Sequence, residues 1–124
     1  MKQLLRKIFV WILARCARLV LQKFKPFVIW ITGSVGKTSC RMIIHSVLQK
    51  ILPQESIYTS QKNYNSEIWL SLSILLIEDY EPTFLWMIKV IIMSLLRCFS
   101  SGQYPSILVL EYWIDGPNDM DQLL

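Results

Sequence analysis

The chain has 124 residues, a net charge of +4 and 53% hydrophobic residues. This length corresponds to one ordinary domain, and the hydrophobic content excludes an intrinsically disordered chain. Residues 1–25 hold seven basic residues and no acidic residue, whereas residues 26–124 hold six basic and nine acidic residues. Because the positive charge is concentrated in the N-terminal segment, we expect no nucleic-acid binding by the rest of the chain.

Residues 1–25 are predicted to form a basic amphipathic helix. Polar side chains recur at spacings of three and four residues, which places Arg15, Arg18, Gln22 and Lys25 in one stripe. This pattern is typical of a helix on an anionic membrane surface, and the alternative is a helix that packs on a part of the protein not present in this chain. The segment has neither the ~20 consecutive apolar residues of a membrane span nor a signal-peptide cleavage site.

The three cysteines are Cys16, Cys40 and Cys98. Their number is odd and their spacing is wide, so they form neither a disulfide framework nor a CxxC metal site. This usage is typical of a reducing compartment. We therefore expect a cytoplasmic protein that could lie at the inner face of the membrane through residues 1–25.

After residue 26, predicted strands and helices alternate. Short β-rich apolar runs predict buried strands, and apolar residues at helical spacing predict helices. The strands are expected at 27–32, 56–60 and 106–111, and the helices at 37 to about 52, 68–77 and 83–99. This order predicts an α/β fold with a parallel sheet that carries helices on both faces.

The helix that begins at Lys37 has a predicted apolar face, formed by Ile43, Ile44, Val47, Leu48 and Ile51. The opposite stripe contains Arg41, His45 and Gln49 at intervals of four residues. We expect His45 to be a solvated residue of this stripe.

The segment between the first strand and the first helix has the sequence TGSVGKTS. Backbone N–H groups in such a loop, together with the N-terminus of the following helix, attract phosphate. In this pattern Lys37 would contact the β- and γ-phosphates of ATP, and the Thr38 hydroxyl would bind Mg²⁺. The strict P-loop has a glycine five residues before Gly36, where this chain has Ile31, so the match is to the shorter form G-x-x-G-K-T.

Three segments resemble the Mur ligase family, the ATP-dependent amide-bond ligases of peptidoglycan synthesis. ITGSVGKTS resembles their ATP-binding loop, and residues 59–76 resemble their stretch T-x(n)-N-x-N-N-E-I-G-x-P-x-T-L-L. ILVLEYWIDGPNDM, at residues 107–120, resembles their strand that ends in Glu before a Gly and an acidic or amide-rich loop. Within the family, the segments are most similar to the ligases that add D-alanyl-D-alanine to UDP-N-acetylmuramoyl-tripeptide.

The resemblance implies a site for ATP and Mg²⁺. Glu111 follows the third strand, where a carboxylate can bind the same Mg²⁺ as Thr38, and Lys37 and Glu111 are the expected catalytic residues. The resemblance also implies that Asn63, Asn65 and Glu67 line the nucleotide and acyl-phosphate site; ordinary turn and cap chemistry is the alternative for these three residues. The residues expected to bind the nucleotide are Gly33, Ser34, Gly36, Lys37, Thr38, Ser39, Asn63, Asn65 and Glu67.

In the family, ATP phosphorylates a carboxylate of a UDP-sugar peptide, and an amine attacks the acyl phosphate to form an amide. By resemblance, residues 26–124 would be part of the central ATP-binding domain, with a P-loop-type parallel sheet that is incomplete. Because the acceptor domain is expected outside this chain, we expect the chain alone not to complete the ligation. The alternatives are a membrane-associated P-loop ATPase or switch module and a non-catalytic remnant.

Trp30, Trp69 and Trp113 stand where the resembling motifs have glycine. Over-packing a tight core typically costs about 1–3 kcal/mol per site, so three such changes are improbable by drift. Some bacterial genetic codes read UGA as glycine and others read it as tryptophan. We therefore hypothesise that the three codons are UGA and that the natural protein has glycine at these positions.

Overall fold

The computed structural model describes residues 2–60, 67–79, 81 and 83–112. In these residues the chain forms four helices and three strands. In chain order they are α1 (Lys2–Phe24), β1 (Phe27–Ile31), α2 (Lys37–Ile51), β2 (Ile57–Thr59), α3 (Glu67–Ile74), α4 (Phe84–Phe99) and β3 (Ile107–Glu111). Helix α4 begins at an N-cap, where the Thr83 hydroxyl accepts a hydrogen bond from the Trp86 backbone N–H.

The three strands form one parallel sheet in the order β1-β3-β2. Strand β3 lies in the middle, so Ile107 stands opposite both Phe27 of β1 and Ile57 of β2. This sheet confirms the predicted α/β class. The order also places the ends of β1 and β3 side by side.

The two faces of the sheet carry separate cores, because successive strand side chains point to opposite faces. On one face, Ile107 and Val109 pack with Ile44 and Leu48 of α2. On the other face, Leu108 and Leu110 join the larger core, to which α1, α3 and α4 contribute. Helices therefore cover both faces of the sheet.

Helix α1 packs against α3 and α4 of this same chain. Its buried face consists of Phe9, Leu13, Cys16, Ala17 and Val20. The predicted polar stripe, which includes Arg15 and Arg18, is exposed on the other side. Across the described residues, no helix has both the length and the apolar character that a membrane crossing requires.

The predicted orientation of α2 is wrong in part. Arg41, which we expected opposite the apolar face, is buried together with Lys37. Ile43, Val47 and Ile51 of the predicted apolar face are exposed instead. The reason is that positions 37, 41, 44 and 48 share one helical face, and this face covers the carboxyl end of the sheet, where charged groups meet.

Candidate functional site

The loop after β1 depends on two glycines with positive φ. Gly33 has a φ of +139° and Gly36 a φ of +78°, which is a left-handed conformation that other residues rarely adopt. A β-carbon at either position would meet no atom within 4 Å, so the backbone angle, and not the available space, requires glycine. Gly36 is also the N-cap of α2, and its carbonyl accepts the first helical hydrogen bond from the Cys40 N–H at 2.9 Å.

This geometry directs the loop into the N-terminus of a 15-residue helix. The first N–H groups of a helix have no partner within the helix, and the helix dipole adds partial positive charge there. Gly36 has no side chain that could cap these groups. The loop and the start of α2 therefore form an anion-binding arrangement.

Lys37 folds back over the loop. Its side chain is buried, and its Nζ donates a hydrogen bond to the carbonyl oxygen of Gly33. The ammonium group is thus held beside the loop from Gly33 to Gly36. Thr38 is half-buried, and Ser34 and Ser39 are exposed in the same segment.

Glu111 lies at the end of the neighbouring strand. In the parallel register it is opposite Ile31, the last residue of β1 before the loop. The ladder continues for one more bond, because the Tyr112 N–H donates to the Ile31 carbonyl at 2.9 Å. The structure therefore brings Glu111 to the edge of the sheet from which the glycine loop leaves.

Arg41 is a site residue that the sequence analysis missed. Its Nε lies 3.1 Å from Oε1 of Glu111, and the two side chains are only 5% and 8% exposed. Its Nη1 donates hydrogen bonds to the backbone oxygen of Ser60 and, at 3.3 Å, to the Ser60 hydroxyl. The signal in the sequence was its position four residues after Lys37, which places both residues on one helical face.

Three buried polar atoms at this end of the sheet have no hydrogen-bond partner among the described residues. They are Arg41 Nε, Glu111 Oε1 and Thr59 Oγ1. The Arg41–Glu111 contact is therefore a charge contact in which the N–H is not aligned with the carboxylate oxygen. Buried polar atoms are nearly always hydrogen-bonded, so these three atoms have hydrogen-bonding capacity that the described residues leave unused.

The residues at this edge fit Mg²⁺. A carboxylate and a hydroxyl are hard oxygen donors, and Mg²⁺ usually takes one or two such protein ligands and completes its shell with water and phosphate. Glu111 and Thr38 would be the protein ligands. In the described part of the chain, no group of three or more His, Cys, Asp or Glu residues could hold a metal ion, and a site of this kind does not require one.

A cleft lies beside Ser60, between the sheet and the end of α3. Tyr58, Trp69, Ser73 and Glu78 are among its lining residues. The Tyr58 hydroxyl donates to Oε1 of Glu78 at 3.2 Å. Burial, reinforced by the carboxylate of Glu78, raises the pKa of Tyr58 above its ordinary range, so this hydroxyl stays protonated.

The three predicted site residues that follow β2 cannot be compared with the structure. Asn63 and Asn65 lie outside the described residues, and only the backbone of Glu67 is described, as the first residue of α3. Ser60 directly precedes this segment. Their predicted role therefore stays a prediction.

Comparison of the chain with protein-family models, with curated proteins and with solved structures gave no match.

Proposed function

We propose that this chain is the ATP-binding part of an ATP-dependent ligase that forms amide bonds, of the Mur ligase type, with a P-loop-type sheet. One observation carries the proposal. The glycine loop that leads into α2 lies beside Glu111 on the adjacent strand, and Lys37 is folded over that loop. In P-loop NTPases, the corresponding lysine and a strand-end acid serve the nucleotide phosphates and Mg²⁺.

Each residue would have a defined task in this function. The N–H groups of residues 33–38 would bind the phosphates, and Lys37 would exchange the Gly33 carbonyl for phosphate oxygens. Thr38 and Glu111 would hold Mg²⁺, which supplies charge neutralisation when it is bound. Phosphoryl transfer depends mostly on positioning and electrostatics, so these residues would act by aligning ATP with the acceptor carboxylate.

The substrate class comes from the resemblance of the three segments. A carboxylate of a UDP-sugar peptide, as in the ligases that add D-alanyl-D-alanine, would receive the phosphoryl group and then react with an amine. In the family that these segments resemble, the amine binds to a separate domain.

A second candidate function is a membrane-associated P-loop ATPase or switch. It is favoured by the surface of α1, where Leu4, Ile8 and Trp11 are exposed next to exposed basic residues. Such a module would hydrolyse ATP without a carboxylate substrate. A ligase domain would produce ADP only when the acceptor carboxylate is present.

The test of the proposed function is nucleotide binding by wild-type chain and by Lys37→Ala. Losing a charge-assisted contact of about 1.5–3 kcal/mol should weaken binding of ATP with Mg²⁺ about ten- to hundredfold, as measured by calorimetric titration. Lys50→Ala is the matched control, because Lys50 is an exposed lysine in the last turn of the same helix. Equal affinity of Lys37→Ala and wild type would refute the assignment of the loop.

A further inference from the structure

We propose that Arg41 is a positioning residue that holds Glu111 in place for Mg²⁺ and links it to the chain segment after β2. This inference rests on the proposed function. It assigns a role to a residue that lies outside the glycine loop and that we do not expect to touch the nucleotide.

Arg41 contacts residues at the ends of two neighbouring strands. Its Nε faces Glu111 at the end of β3, and its Nη1 is bonded to Ser60 directly after β2. A guanidinium is planar and has five fixed donors, so it can hold two partners in one geometry, which a lysine ammonium does less well. Arg41 therefore fixes the relative positions of the two strand ends beside the loop.

Arg41 and Glu111 form a buried pair of opposite charges. A buried carboxylate is costly unless an opposite charge accompanies it, and an arginine remains charged at all working pH values. Glu111 is almost fully buried, and within the described residues the ion pair with Arg41 is the only one in which it takes part. Arg41 thus places an opposite charge beside the buried Glu111 carboxylate.

The contact between Arg41 and Glu111 is close but is not an aligned hydrogen bond. Arg–carboxylate pairs are frequently bidentate, with two parallel hydrogen bonds. Here Oε1 of Glu111 lies 3.1 Å from Nε of Arg41 without an aligned hydrogen bond. The carboxylate is held close by charge, and its lone pairs stay available to Mg²⁺ or to a metal-bound water.

Arg41 is also connected to the chain segment that follows β2. Ser60 accepts from Arg41 through both its backbone and its hydroxyl oxygen, and it is followed by the segment that contains Asn63 and Asn65. Through Arg41, the Glu111 carboxylate is therefore linked to Ser60, the residue that directly precedes the segment predicted to line the acyl-phosphate site.

The experiment measures the Mg²⁺ dependence of binding of a fluorescent ATP to the full chain. Arg41→Met removes the charge and keeps much of the volume. Substitutions of residues that orient metal ligands typically cost 10- to 100-fold in metal affinity, so the Mg²⁺ concentration for half-maximal binding should rise by at least about tenfold. Binding without Mg²⁺ should change little. Lys50→Met, which removes an exposed charge from the same helix, should behave as wild type.

Two further variants separate positioning from a general structural role. Arg41→Lys keeps the buried charge but cannot make both contacts, so its Mg²⁺ requirement should lie between those of wild type and Arg41→Met. If Arg41→Met does not fold, the Mg²⁺ requirement of Arg41→Lys tests the proposal instead. In a Glu111→Gln background, Arg41→Met should add no further increase, because Arg41 acts through Glu111.

The inference is overturned if Arg41→Met, or a folded Arg41→Lys, has the Mg²⁺ requirement of wild type or a lower one. It is also overturned if binding weakens equally with and without Mg²⁺, or if the effect persists in the Glu111→Gln background. A wild-type chain that binds no nucleotide at any Mg²⁺ concentration would instead refute the proposed function.

Discussion

At the scale of single residues, two tryptophans at motif positions differ in their surroundings from a tryptophan of the core. Trp30 on β1 is 38% exposed, and its ring is in an edge contact with Tyr112 at 6.5 Å between centroids. Trp69 is half-buried at the cleft beside Ser60. Trp86 is buried, and its Nε1 donates to the Asp79 carbonyl at 3.1 Å. Trp113 lies outside the described residues.

The hypothesis of misread glycine codons predicts UGA at codons 30, 69 and 113. Mass spectrometry of the native peptides should then show glycine at these positions. Because Trp30 packs on Tyr112, next to Glu111, Trp30→Gly should bind ATP with Mg²⁺ more tightly than the tryptophan form. Trp11→Gly, which changes a 67% exposed residue of α1, is the control and should leave ATP binding unchanged. UGG at the three codons would end the hypothesis.

The place of Lys37 beside the glycine loop could be predicted from the sequence, whereas the burial of Arg41 could not. Lys37 belongs to a local pattern in which a strand, a glycine loop and a helix follow one another. The role of Arg41 depends on Ser60 and Glu111, which are 19 and 70 residues away in the chain. A reading of helical periodicity assumes that charged residues face solvent, and a buried ion pair reverses that assumption.

At the scale of elements, two tyrosines connect the sheet side of the larger core to α3. The Tyr104 hydroxyl, in the loop before β3, donates to the Ile74 carbonyl at the end of α3 at 2.6 Å. Its ring stacks on Phe24 of α1, with centroids 4.7 Å apart. Tyr58 of β2 makes the corresponding link to Glu78 just beyond α3. Burial is the main cause that raises the pKa of both tyrosines above their ordinary range.

These raised pKa values predict a loss of stability in alkali. A tyrosine in the unfolded chain has a pKa of about 10, so below pH 10 both states are protonated and the full stability is present. As pH rises above about 10 towards the higher pKa of the folded state, the unfolded state loses protons first, and each tyrosine should cost up to about 1 kcal/mol per pH unit after allowance for partial exposure. Urea unfolding at pH 8 and at pH 11 measures this.

Tyr104→Phe isolates the contribution of one tyrosine. It should lower the free energy of unfolding by about 1 kcal/mol at pH 8, because it removes a hydrogen bond, and it should make the alkaline decrease less steep. Ser106→Ala is the control, since it removes the 2.6 Å hydrogen bond to Glu55 without removing a tyrosine. An alkaline decrease that is equally steep in Tyr104→Phe and wild type would contradict the assigned cause.

The elements themselves were largely predictable because their signals are local. Pro26 and Pro53 mark element boundaries, and the apolar runs FVIWI and ILVLE predicted the two longer strands. The packing of α1 on α3 and α4 was not predictable, because one apolar face suits a membrane, another protein part or the chain's own core equally well. The shape of the surface that α3 and α4 present decides which of these three partners covers the apolar face of α1. That shape is a property of the folded chain.

At the scale of the whole molecule, charge and exposed apolar surface coincide on α1 and α4. The two helices pack together and contain no acidic residue. Phe84, Leu85, Leu96 and Phe99 of α4 are strongly exposed. The ammonium group of Lys23 in α1 has hydrogen-bond partners, because its Nζ donates to the Cys98 and Ser100 carbonyls at the end of α4. The combined surface of exposed apolar and basic side chains on α1 and α4 is of the kind that lies in a membrane interface.

This surface predicts binding to anionic lipid vesicles. Basic residues near an anionic surface each contribute about 1 kcal/mol, and this attraction is screened by salt, so binding in a co-sedimentation assay should weaken as the salt concentration rises. Reversing two exposed charges of α1 with Lys7→Glu and Arg15→Glu should reduce the partition constant by at least about tenfold. Lys50→Glu, on α2 across the sheet from α1, is the matched control and should bind as wild type. If binding is insensitive to lipid charge, to salt and to the α1 substitutions, the exposed faces of α1 and α4 serve protein packing instead.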